Sequence, residues 1–80
     1  MKLFGYAANA PDEGSVAPAE LAEITLVASP AELRAIANFL QSAAAGIESK
    51  GTDWEHEHLA DTHKEFNTSP HFVVFNPAVS

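Results

Sequence analysis

Cysteine is absent from this 80-residue chain, which excludes disulfide frameworks, thiolate metal sites and cysteine nucleophiles. Basic residues are almost as scarce. Lys2, Arg34, Lys50 and Lys64 stand scattered against 11 Asp and Glu, for a formal net charge of −7. With no basic patch to neutralise phosphates, no nucleic-acid partner is expected. Anionic membrane surfaces also repel such a chain, and no apolar run approaches the ~18 residues of a membrane span. The apolar stretch Leu3-Phe4-Gly5-Tyr6-Ala7-Ala8 that follows Lys2 is glycine-broken and shorter than the ~7–15 residues of a secretory h-region. It reads as a first strand, and the chain as cytoplasmic. Asn67-Thr68-Ser69 has the form of a glycosylation sequon, which has no meaning in that compartment. The four glycines form no phosphate-cradling loop, and no serine lies in a Gly-x-Ser-x-Gly elbow. These absences argue against an enzyme.

What is present is an ordinary globular composition, 46% apolar, in a chain with room for one domain. Residues 2–7 read as a strand and the Pro- and acid-containing stretch 8–20 as a loop. In residues 21–28, Ala22, Ile24, Leu26 and Ala28 share one face and Glu23 and Thr25 the other, the period of a strand with one buried side. Ser29-Pro30-Ala31-Glu32 then has a capping Ser, Pro at the first helical position and Glu at the third. From there Leu33, Ile36, Ala37, Leu40, Ala43, Ala44 and Ile47 recur at spacings of three and four. They predict one apolar stripe along a helix over 30–49, with Phe39 at its edge. Gly46 weakens its last turn, and Lys50-Gly51 ends it. Residues 52–70 are polar, with Trp54 and Phe66 as isolated anchors, and 71–75 form a last strand, apolar on both faces.

The predicted architecture is α+β, in the order β-β-α-β: a small, mainly antiparallel three-stranded sheet, in order 2-1-3, with one long amphipathic helix on one face. One helix cannot cover both faces of such a sheet. Phe4, Tyr6, Val73 and Phe75 are therefore expected on a second, open face, suited to a homodimer or a partner.

The chemically unusual stretch is Trp54-Glu55-His56-Glu57-His58-Leu59-Ala60-Asp61-Thr62-His63. If it is extended, His56 and His58 point one way and Glu55 and Glu57 the other. Three readings stay open. His56, His58 and His63 could ligate a metal such as zinc. Trp54, Glu55, Glu57 and Asp61 could form a partner-binding surface. The whole segment could instead be structural. Position 60 is Ala, so His-Glu-x-x-His is absent, and no pocket that would tune the acids for catalysis is evident. His71 reads as an edge residue. The acidic balance favours a basic partner, since opposite potentials steer encounter.

The capped helix, the segment His56-Glu57-His58-Leu59-Ala60-Asp61 and the ending Phe72-Val73-Val74-Phe75-Asn76-Pro77 together resemble the small bacterial immunity proteins of the immunity protein 32 type, found beside polymorphic toxins. The resemblance covers residues 20–77 and carries over His56, His58 and Asp61 as marker positions without assigning them roles. It implies a protein that neutralises a cognate toxin by binding, with no catalysis required. A nuclease toxin with a basic substrate groove would suit the acidic charge.

Overall fold

The computed structural model describes residues 1–8 and 18–79. The central part of the expected 8–20 loop, residues 9–17, lies outside the described residues. Strand β1 (Lys2–Ala7) pairs antiparallel with β2 (Leu21–Val27), with Leu3 opposite Leu26 and Tyr6 opposite Glu23. Helix α1 (Pro30–Lys50) follows, then a 3-10 turn over Gly51–Asp53. Strand β3 (His56–His58) leads directly into the short helix α2 (Leu59–Thr62) and a second 3-10 turn, Lys64–Phe66. Strand β4 (Val73–Phe75) closes the order and pairs antiparallel with β3.

The fold is therefore mixed α and β, but the described strands form two separate two-stranded sheets, β1-β2 and β3-β4. The expected three-stranded sheet of order 2-1-3 is corrected. The last strand pairs with the histidine segment instead of the first strand. Phe4 and Tyr6 consequently lie on one sheet and Val73 and Phe75 on the other, so they do not share a face. The polar segment 52–70 holds β3, α2 and the second 3-10 turn. Leu59 and Phe66 carry that segment into the core, where they are fully buried with Ile36 and Phe39.

The start of α1 follows its sequence signal. Ser29 Oγ accepts from the Glu32 N–H at 3.1 Å, and Glu32 Oε1 accepts from the Ser29 N–H at 2.9 Å, so two donors left orphaned at the helix end are satisfied reciprocally. The other oxygen of Glu32 accepts from the Met1 ammonium at 2.7 Å, and that ammonium also donates to Ser69 Oγ at 3.0 Å. One carboxylate thus caps the helix and ties the first strand to it, while the ammonium reaches the loop before β4.

The inward side of the helix is one flank of the predicted stripe, Ile36, Ala43 and the half-buried Ile47, extended to Phe39, while the other flank stays outside. Ile36, Phe39 and Ala43 are buried, and Phe39, expected at the edge, is the centre of the core at 1% exposed. Its ring meets Phe72 and His63 edge-on at 6.3 and 6.4 Å. Burying the largest apolar side chain on the helix removes the most area from water, and that outweighs the more numerous small residues. Leu33 and Leu40 are left exposed.

Two glycines have geometric reasons. Gly51 caps α1 with φ 55° and donates to the Ile47 carbonyl, a backbone conformation that side chains disfavour. Gly46, a weak point by helix propensity, lies under the indole of Trp54: a Cβ there would fall 2.6 Å from Nε1.

Gly46→Ala gains up to about 1 kcal/mol of helix propensity. It also displaces the indole, so a net loss of about 1 kcal/mol is expected. In a Trp54→Ala background the same change should stabilise. Urea melts of the four proteins in this cycle test it, and a stabilising Gly46→Ala in the wild-type background would refute the close approach.

The Met1 ammonium, aided by the Ser29 N–H and opposed by partial desolvation, holds the Glu32 carboxyl below its ordinary range. A depressed carboxylate contributes stability that is complete above the unfolded-state value and is lost as pH falls through the folded one. The stability difference between the native protein and Glu32→Gln should therefore be full at neutral pH and shrink in acid. A difference that does not change between neutral and acidic pH would show that the charge plays no part.

Candidate functional site

The histidine segment owes its geometry to Asn76. This side chain is 1% exposed, and every polar atom on it is used. Nδ2 donates to the carbonyls of Gly51 (3.1 Å) and Trp54 (2.9 Å), and Oδ1 accepts from the Ala78 N–H (3.0 Å). Its own N–H donates to the Glu55 carbonyl at 2.8 Å. At the other end of the ladder the Leu59 N–H donates to the Phe72 carbonyl at 2.8 Å. The segment is thus fastened at both ends to the strand that it pairs with.

Pairing puts His56 opposite Phe75 and His58 opposite Val73, with Glu57 opposite Val74 between them. Alternation then gives the sheet two distinct faces. Val74, on the Glu57 side, packs against the core. The other face presents His56, His58, Val73 and Phe75, the last 53% exposed. The His56 ring stacks on Phe75 with centroids 6.2 Å apart and planes 13° from parallel. His58 lies edge-on to His56 at 5.5 Å and to His71 at 5.6 Å. Three imidazoles and a phenyl ring therefore form one continuous row.

Exposed acids flank this row. Glu55 Oε1 is 3.0 Å from His56 Nδ1. Asp61 Oδ2 accepts from the backbone N–H of His58 at 3.2 Å and lies 3.9 Å from its Nδ1. The spacing His-x-His-x-x-Asp has a local explanation: the two histidines share a strand face, and the Asp caps the turn that ends the strand.

The four residues expected on a partner-binding surface divide. Glu55 and Asp61 flank the exposed row. Glu57 points to the opposite side of β3, and Trp54 is half-buried with its ring against Gly46. The three expected metal ligands divide as well. His56 and His58 are neighbours, but His63 packs edge-on to Phe39 and Phe66, with Nδ1 2.9 Å from Thr62 Oγ1. His71 takes the third place in the row. Among the described residues, no group of three or more His, Asp or Glu is arranged to hold a metal ion. Sequence reasoning did not find His71 and Phe75 as members of this cluster. The signal available was their reach across an antiparallel partner of the His-x-His strand.

A cleft between His58 and His71, floored by Leu59, Phe66 and Phe72, has a volume of about 40 Å³. That is room for a water or two and not for a substrate. The arrangement offers exposed aromatic and imidazole surface rimmed by carboxylates, which suits recognition by contact. No helix of the described residues is long and apolar enough to cross a membrane.

Comparison with known proteins adds one finding. A family model described as Immunity protein 32 matches residues 23–77, a span that includes β2 from Glu23 onward, α1 and the whole of the β3-β4 face but not β1. No curated protein and no solved structure matches the chain.

Asn76→Ala removes the donors that hold the Gly51 and Trp54 carbonyls, and unpaired buried groups of this kind cost about 1–3 kcal/mol. A loss of about 2 kcal/mol in denaturant unfolding is expected, with early amide exchange in 55–58. Full retention of stability would show that the clamp is dispensable.

Proposed function

The chain belongs to the immunity protein 32 family, and on that premise we propose that it binds and neutralises a cognate toxin through the exposed face of β3 and β4. Immunity protein families generally act without catalysis. The observation that carries the site assignment is the uncovered row of His56, His58, His71 and Phe75 between Glu55 and Asp61. It lies wholly within the matched span, and no other part of the described chain covers it.

The partner that suits this face is a basic protein, such as a nuclease with a cationic substrate groove. A net charge of −7 raises the rate of encounter with such a surface, while the aromatic centre supplies the desolvated contacts that carry most binding energy. Glu55 and Asp61 form the acidic rim. Trp54 and Glu57 act from behind the face, by supporting the segment that carries it. The reading places the protein in the cytoplasm with its toxin and requires no metal.

The test is calorimetric titration of the purified protein with a catalytically inactive form of the toxin encoded beside it. Glu55→Lys and Phe75→Ala should each weaken binding about tenfold or more, with the melt unchanged in Glu55→Lys, whose side chain is exposed, and still cooperative in Phe75→Ala, which gives up the buried half of one ring. Affinity should also fall as salt rises from about 50 to about 300 mM, as screening of opposite charges requires. Unchanged affinity in both variants removes the β3-β4 face, salt-independent binding removes the basic partner, and absence of binding removes the toxin reading.

A further inference from the structure

Helix α1 has a second apolar side that nothing in the described chain covers. Leu33 and Leu40 are 46% and 43% exposed, and the exposed Ala37 and Ala44 alternate with them. The spacing 33-37-40-44 runs four, three, four, which is the seam of paired helices. Large and small residues alternate along it. Leu40 and Ala44, with Gln41, Ala45 and Glu48, border a shallow open hollow on the surface. A leucine from a facing helix would fit that hollow, and Leu33 and Leu40 are such knobs.

The charges beside the seam specify the occupant. Arg34, Gln41 and Glu48 follow one edge at seven-residue spacing, so all three lie on the same side of it. We propose that this face pairs antiparallel with the same face of a second copy, about a two-fold axis near Gln41. Reversal of direction sets Arg34 against the second copy's Glu48, and Glu48 against its Arg34. A parallel two-fold pair would instead set this edge beside the other flank of the partner's seam, where Ile36, Ala43 and Ile47 offer no charged partner. The edge is neutral overall, with one cation and one anion, although the chain carries −7. A highly basic toxin has no counterpart here, whereas an identical surface complements every feature. Isologous contacts of this kind are self-complementary by construction and close at two copies. The contact lies on α1 and shares no residue with the β3-β4 row.

The experiment is sedimentation velocity of the full chain from about 1 to about 500 µM, a range that brackets a reversible contact between small surfaces. The native protein should shift from a monomer of 8.5 kDa to a dimer of twice that mass. Leu40→Glu should remain monomeric throughout with an unchanged circular dichroism melt. Arg34→Glu and Glu48→Arg should each weaken association about tenfold, and the double exchange should restore it. A native chain that stays monomeric over the whole range overturns the proposal. So does a dimer that survives Leu40→Glu, or one abolished by Phe75→Asp but not by the charge exchange, which would place the contact on the β3-β4 face. Failure of the double exchange to restore association overturns the antiparallel pairing.

Discussion

The carboxamide of Asn76 is the constraint on which the second half of the molecule depends. Three short segments meet at it: the end of α1, the turn into β3, and the chain just after β4. None of them is long enough to hold itself, since a three-residue strand pair contributes little in water. A buried amide that satisfies two carbonyls and one N–H makes their relative position specific, because any other arrangement leaves polar groups unpaired away from solvent. The β3-β4 ladder, the alternation of its faces and the row of rings all follow from this placement.

A second, ionic junction organises the other half. The hairpin β1-β2 is exposed along most of its length, and only its inner end, through Met1 and Leu26, packs against the core. The Met1 ammonium, bonded to both Glu32 and Ser69, ties that end to the helix cap and to the loop before β4. A capping carboxylate that also takes part in an ion pair links local helix formation to tertiary assembly. The two junctions differ in physical character. Asn76 is neutral and holds its partners by hydrogen bonds alone, whereas the Glu32 junction is an ion pair.

Among the described residues the core is small, with four large side chains at its centre, and much apolar surface remains outside it. That surplus is distributed in separate patches of different character. The β3-β4 face is ringed by acids and rich in imidazole and aromatic surface. The outer side of α1 is aliphatic and carries balanced charge. Chemically distinct patches suit distinct partners, and the family assignment requires only one of them to meet a toxin.

The helix limits, the capping box and the common face of His56 and His58 were legible in the sequence. Each is set by residues within a few positions of one another, where period and hydrogen-bond reach decide the outcome. The family was legible too, from the His-x-His-x-x-Asp segment and the strand ending in Asn76-Pro77. Which side of α1 turns inward was not. Its apolar residues cover more than half a turn, and only the packing of Phe39 against Leu59 and Phe66 selects one side. The partner of the last strand was equally hidden. A strand that is apolar on both faces fits any sheet, and its pairing with His56–His58 depends on Asn76 bridging residues far apart in the chain. The sequence determined local structure and kinship, because both are written in short spacings. Tertiary structure decided the sheet pairing, the separation of His63 from the other histidines and the exposed sides, because those depend on long-range burial and on buried polar groups finding partners.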